Sequence, residues 1–501
     1  MKSKLQIYLP AAVCTLAILS ATGCRSNFTQ ENQNHLAQLY YSGEVAKAAD
    51  YASGISEEEK DQTSEHALLW HLEAGNVNLD AGKYDKSRTA LDRAEKLLYL
   101  FDGDSPRFNR PGNSTYLGTR SDRLLLHLLK GFNFLNEGKL EAFLVEIRRL
   151  RAEQFRYVLN EADPEIRTYE AANHGRSGII PHAMKSIAGT SDDKNLIFKA
   201  SGLNDSFVEY SQRRRPQLPL FYNPLAFYLS ALGYTFDNEY EEAVIDYRYL
   251  LMLEPGNRLY RRDCAALIKA LGDKLPDELK NTPESQVPDD QVVCVIVGRG
   301  TQDGWKSSST NYYLPGKVPT SWNFSYPDYK PVKDPGFTVK HENGRAVSGT
   351  RLADLSEIAY EEYWQHTFPG MVNRAYQATV AMTIAHESAK AALVAALAMP
   401  NNDYKPLIVA SARISVAATS RAYVNQNEWR RWITLPRSYS VAHIKLPAPG
   451  TSRKMTLSVN KSGGGTQNFE LDFSPEANRA VVYARELGDG KFVLKKWENM
   501  E

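Results

Sequence analysis

The sequence predicts an α+β chain: an α-helical repeat array in front, followed by a largely antiparallel β domain with an inserted helical hairpin. Three observations carry this. Over Asn223–Asn257, Leu225, Tyr228, Leu229 and Leu232 form one apolar stripe at helical spacing, and Tyr240, Ala243, Tyr247 and Leu250 form a second. Gly75 and Gly82, then Gly131 and Gly138, stand at the same separation inside two further segments of that pattern. After Leu275–Asp290, a stretch rich in proline and charge, the chain turns to runs of β-branched residues.

The chain opens with Lys2 and Lys4 and an apolar stretch, Ile7 to Leu19, too short to span a bilayer once Pro10 is counted. Ala21-Thr22-Gly23 then runs directly into Cys24, an order that resembles the lipobox of bacterial lipoproteins. The resemblance implies a lipoprotein signal peptide over residues 1–23, cleavage after Gly23, and diacylation and N-acylation (palmitate) at Cys24. Acyl chains contribute about 0.8 kcal/mol per buried methylene, so two or three hold a protein at a membrane. Arg25, where an Asp would signal retention, points to an outer-membrane anchor in the bacterial cell envelope, facing the periplasm, with surface exposure left open.

Residues 24–34 are polar and read as a tether, and the array occupies 35–274. The Asn223 unit resembles a tetratricopeptide (TPR) repeat of about 34 residues, with Pro255 at the expected stop. A degenerate unit over His35–Ala52 turns at Gly43, and clearer ones cover His66–Leu98 and Ser121–Gln154. A helix pair buries little surface alone, so the units must stack. Phe101–Tyr116 reads as a loop and Asp163–Ala200, broken by Gly175, Gly178, Pro181 and Gly189, as an irregular excursion. Arg213-Arg214-Arg215-Pro216 is a solvated connection or, alternatively, an anionic head-group contact. Residues 275–290 form the linker. Just before it, Leu267, Ile268 and Leu271 make an apolar patch that no later repeat covers, which predicts that the last helix packs on the rear domain and makes one rigid body. The cap would come from the hairpin or from the sheet.

The rear domain, 291–501, starts with a strand at Gln291–Val297. Gly298-Arg299-Gly300 then reads as a turn, since no helix begins there and the dinucleotide fingerprint lacks its third glycine at the right offset. Thr320–Tyr326 and Phe337–His341 are strand-like and Leu352–Gln365 helical. Met371–Met399 and Leu407–Ala422 are small-residue helices that make the hairpin (about 371–422). Arg374, His386, Glu387 and Lys390 argue against a transmembrane helix, so the hairpin is expected to be buried in protein, with a membrane-dipping hairpin as the alternative. A meander follows: Ser440–Leu446, Lys454–Val459, Asn468–Phe473, Ala480–Arg485 and Lys491–Trp497.

With these landmarks the mature chain resembles an uncharacterised family of bacterial envelope lipoproteins that have a TPR-like front half and a β-rich rear half. The runs that carry the resemblance are Gly138–Arg149, Phe221–Tyr234, Glu241–Pro255, Phe368–Val380 and Glu428–Pro436. It implies architecture and address rather than a reaction, and a place in cell-envelope assembly.

The net charge of +1 gives no nucleic-acid footprint. Cys264 and Cys294 flank the linker, where they are two buried thiols or a disulfide joining the halves. No catalytic constellation is legible: His386-Glu387 has Lys390 where a second histidine would stand, and Ser191-Asp192-Asp193-Lys194 lacks its partner motifs. No cofactor or metal is expected. Glu146, Arg149, Tyr228, Tyr234 and Tyr247 are the candidate interaction surface; ion pairing between helices and core packing are the competing readings. The expected function is a lipid-anchored scaffold or adaptor that binds protein partners through a TPR-like surface. The alternative is an envelope enzyme or small-ligand-binding protein with its site where the halves meet.

Overall fold

Each helix pair of the front half is closed by the same turn. The pairs are α1 (Cys24–Tyr41) with α2 (Val45–Glu58), α3 (Ala67–Asp80) with α4 (Tyr84–Gly103), α5 (Arg120–Asn136) with α6 (Leu140–Val158), and α7 (Pro224–Phe236) with α8 (Tyr240–Leu253). Gly43, Gly82, Gly138 and Asn238 sit at the turns with φ of 82°, 76°, 71° and 61°. The next N–H, of Glu44, Lys83, Lys139 and Glu239, reaches back to the carbonyl of Leu39, Asn78, Phe134 and Tyr234 at 2.8–3.0 Å. This is the Schellman stop, which needs a left-handed residue that glycine supplies without strain and asparagine tolerates. Gly75 serves another end: a Cβ there would lie 2.4 Å from Leu91 Cδ2, so α3 and α4 approach through a notch. α9 (Arg258–Ala270) follows, its first turn capped by Asn257 Oδ1.

The structure is a computed structural model and describes residues 24–59, 64–103, 115–158, 223–282, 292–312, 320–342, 344–363, 368–401, 405–419, 422–426, 430–447 and 451–498. The leader with its cleavage point after Gly23, the 163–200 excursion, the 213–216 charge run and the second half of the linker (283–290) lie outside them.

Three sheets build the rear half. The largest runs β12 (Phe492–Glu498), β11 (Arg479–Glu486), β1 (Val292–Thr301), β8 (Pro436–Lys445), β6 (Thr350–Asp354). Within it β1 is parallel to β11 and antiparallel to β8. The second runs β10 (Thr466–Asp472), β9 (Lys454–Asn460), β4 (Phe337–His341), β5 (Val347–Ser348). The third joins β2 (Trp305–Tyr312), β3 (Thr320–Pro327) and β7 (Ala422–Gln426), with β3 and β7 parallel. Helix α10 (Leu355–Glu362) follows β6, and α11 (Phe368–Ala398) and α12 (Lys405–Ala418) form the hairpin between α10 and β7.

Side chains alternate along β1. Val292, Cys294 and Ile296 join one core with the leucines of α3, α5 and α7 and with Leu267 and Ile268 of α9. Val293, Val295 and Val297 face the second sheet and pack with Val339, Leu457 and Val482. The apolar patch at the end of the array is thus capped by the large sheet, and the halves share one core, as the patch required.

Polar contacts reinforce the seam. Residues 430–436, part of the run that carried the family resemblance, lie as a strap along α1 and α3. Glu73 of α3 is fully buried and accepts from Ile433 N–H (2.7 Å), Thr434 N–H (3.3 Å) and Thr434 Oγ1 (2.7 Å). Asn76 Nδ2 donates to Thr434 O and Oγ1, both at 3.0 Å. Gln33 Nε2 donates to Arg431 O at 2.7 Å. Residues 24–34 are therefore part of helix α1 rather than a tether: their polar side chains at 32 and 33 are buried against a polar partner instead of water.

Three further expectations change. Gly298-Arg299-Gly300 is the end of strand β1, not a turn, because buried Arg299 donates to the carbonyls of Asn460 (2.6 Å) and Gly336 (2.8 Å) across the sheets. The segment 352–365 begins as strand β6, and its helix starts only at Leu355, capped by Asp354. Of the two readings of Cys264 and Cys294, buried free thiols is the one that holds. The hairpin is not buried: Ile384 is 63 % exposed, Val394 67 %, Leu407 51 % and Ile414 64 %. The large sheet already fills the place that the hairpin was expected to occupy.

Replacing Glu73 with alanine strands the strap's donors away from water. It should cost about 2–4 kcal/mol and leave one cooperative unfolding transition in calorimetry. Two separated transitions would show that the halves are independent.

Candidate ligand cleft at the junction of the halves

The sequence-derived surface residues lie mostly inside. Tyr228 and Tyr247 are fully buried under the large sheet and Tyr234 is nearly so. The Tyr234 hydroxyl accepts from Arg151 Nη1 at 3.2 Å, with that guanidinium 4.7 Å above its ring. Glu146 is buried between α5 and α6, where its Oε2 meets His127 Nδ1 at 2.7 Å and its Oε1 lies 3.1 Å from Arg149 and 3.4 Å from Lys130. Arg149, half exposed, also reaches Glu95 at 3.2 Å. These are interhelical ties. Arg149 apart, these side chains meet the sheet and one another rather than solvent, so they do not form the expected interaction surface.

What the junction leaves open is a cleft of about 1260 Å³ between the start of α9, the end of β8 and the 341–350 hairpin. Arg258, Arg261 and Arg262 come from α9, His341 and Arg345 from the hairpin and Lys445 from β8. Asn281, Thr282, Ser348 and Thr350 add neutral donors and acceptors, and no carboxylate is among the lining residues. Two of the arginines are engaged: Arg261 Nη1 donates to Pro255 O at 3.2 Å, and Arg262 Nε lies 3.3 Å from Asp263. Arg258 and Arg345 have no ion-pair partner among the described residues. Helical phase sets Arg258, Arg261 and Arg262 along one side of α9 while Leu259 and Cys264 enter the core. This arrangement can hold negative charge.

The cleft floor includes His443, itself buried. The hydroxyl of Tyr228 and His443 Nε2 are hydrogen-bonded, and His443 Nδ1 lies 3.4 Å from Asp263 Oδ2. Tyr247 OH points at the same carboxylate oxygen, 3.5 Å away. Burial alone would lower the His443 pKa, but hydrogen bonding to Asp263 and Cys294 outweighs it and lifts the imidazole to about 9. Nothing in the spacing of the ten histidines marked this one; the only legible sign was a histidine inside an otherwise apolar strand, Ser440–Leu446.

A histidine whose folded pKa is raised contributes stability that is complete below its ordinary value of 6.5 and is lost as pH climbs through 9. Burial also raises Glu73 and Glu362, each to about 7, so their contributions fade between about 4.5 and 7. The window above 7 therefore reports His443. Denaturant melts should lose about 3 kcal/mol between pH 6.5 and 9, and His443→Gln should flatten that slope. An unchanged slope in the variant would assign the loss elsewhere.

No family model matches the chain, and neither does a curated protein or a solved structure.

Proposed function

We propose that this chain is a lipid-anchored adaptor of the bacterial envelope that receives an acidic segment of a protein partner in the junction cleft. The observation that carries the reading is the cleft's cation-rich lining: Arg258 and Arg345 line one cleft with no carboxylate among its described lining residues. A chain of near-zero net charge gains little from long-range steering, so a local concentration of cations is the feature that selects a partner. At about 1260 Å³ the cleft exceeds the usual small-molecule site of about 300–1,000 Å³ and suits an extended segment.

The TPR-like reading of the front half belongs to the same proposal. It is supported by the turn repeated at Gly43, Gly82, Gly138 and Asn238 and by the close approach at Gly75. The array here serves as a scaffold that presents α9 to the cleft. The array shares its core with the large sheet, so the partner is taken at the array's end. Anchoring rests on Cys24, which opens helix α1.

Two measurements test this. Arg258→Glu with Arg345→Glu should weaken binding of a labelled glutamate-rich peptide more than tenfold in anisotropy, with the salt dependence of the wild type reduced; an affinity that neither the double variant nor salt changes refutes the cleft. Both side chains are surface-exposed, so the fold survives. Cys24→Ser should lose the metabolic palmitate label that the wild type takes up, and a wild type that takes up none would refute the lipid anchor.

A further inference from the structure

The hairpin α11–α12 presents apolar side chains to solvent along both helices, and among the described residues little covers it. Its segment Thr379–Ala398 has 20 residues, is long and apolar enough to cross a membrane, and has only 6 % of that window buried. At 1.5 Å per residue it measures about 30 Å, the thickness of a bilayer's hydrocarbon core. At 100° per residue, Ala381, Ile384, Ser388, Ala391 and Ala395 share one side of α11, while Glu387 and Lys390 share a flank, where they pair at 2.9 Å. On α12, Leu407 and Ile414 stand on one ridge a helical turn pair apart. An uncharged ridge with its charges gathered and paired on a flank is the pattern of a helix that enters lipid.

A second, independent observation says which surface lies opposite. Gln30 of α1 and Trp305 of β2 line one cavity of about 340 Å³. The ring of Trp305 packs edge-on against Tyr363, 5.6 Å away, immediately ahead of the hairpin. Strand β7, which leaves the hairpin, belongs to the same small sheet as β2. Cys24 stands six residues before Gln30, about 9 Å along the helix. The point where the acyl chains would attach and the root of the hairpin thus lie on one side of the molecule.

We propose that the α11–α12 hairpin inserts into the lipid bilayer beside the acylated Cys24, giving the chain a second membrane contact; the choice of occupant rests on the lipid-anchor reading. The anchor's pull on the test is removed by working in the full chain with Cys24→Ser. A polarity-sensitive fluorophore is placed through Ile384→Cys, or through Lys47→Cys on the distant α2 as reference. With phosphatidylcholine vesicles, iodide quenching at position 384 should fall at least fivefold and the emission shift to the blue, with no change at position 47. Adding Leu407→Glu, a change at a side chain already facing solvent, should abolish that protection while circular dichroism stays the same. Equal quenching with and without vesicles overturns the proposal. So does protection that needs no vesicles and grows with protein concentration, which would make a second copy the occupant. Protection at position 384 in a protein whose wild type takes up no palmitate label would sink the anchor reading alone.

Discussion

Strand β1 is buried on both faces, and the rest of the structure depends on that. One set of its side chains, Val292, Cys294 and Ile296, is the floor on which the helices rest; the other, Val293, Val295 and Val297, is the roof of the second sheet. A strand with one wet face would alternate apolar and polar residues; a central strand covered on both sides reads as a continuous run. Its neighbours fix the register. Parallel pairing with β11 and antiparallel pairing with β8 leave no free edge on β1, so every backbone donor in its middle is used inside the sheet. A one-residue slip would exchange the two apolar sets, but it would also move Arg299 away from the carbonyls of Asn460 and Gly336 that satisfy it. The polar end of the strand therefore specifies what its apolar run leaves degenerate.

The same logic explains why so many charged groups are inside. Arg485, fully buried, donates to Gly300 O at 3.0 Å and Glu486 O at 2.8 Å, and its guanidinium lies 5.9 Å from the Tyr41 ring. Asp80 and Tyr40, hydrogen-bonded to each other, lie on the helix side. Lys491 meets Ser42 O, Lys495 meets Tyr84 OH at 3.1 Å and Arg479 meets Phe236 O, so β11 and β12 touch the turns of three helix pairs. Removing one partner from such a seam leaves a buried group stranded, which costs more than an average hydrogen bond contributes. The halves are thereby specified to meet in one way.

Much of this was legible in the residues. The mixed α+β class, the helix pairs at Gly82, at Gly138 and over Asn223–Asn257, the hairpin and eight rear strands follow from period and punctuation. So did the union of the halves, argued from Leu267 and Ile268. What escaped was whatever depended on a distant partner. Trp305–Tyr312, with a serine run at its centre, has weak strand character and pairs because β3 lies beside it. Arg299 looked like a turn residue until two remote carbonyls were placed around it. Tyr228 and Tyr247 suit a binding surface as well as a core, and only the position of the sheet decides. The cleft was the least legible feature: Arg258, Arg345 and Lys445 are far apart in sequence and ordinary singly. His386, Glu387 and Lys390 misled in the other direction, because charges that exclude a free-standing membrane span do not require burial in protein.

The union of the halves also limits how the cleft can work. Its walls come from α9, β8 and the 341–350 hairpin, and α9 and β8 share the core through Leu267, Ile268 and Val441. Opening it by a hinge would require breaking that core, so the site is preformed. Interface energy in a preformed site is not spent on closure, and selectivity then comes from matching fixed charges. Arg261 is held by Pro255 O, and Arg262 lies beside Asp263, so these two give the wall its shape, whereas Arg258 and Arg345 keep the freedom to meet a ligand. A preformed, positively lined cleft is suited to holding a partner in place rather than to transmitting motion, which is what the proposed adaptor role requires.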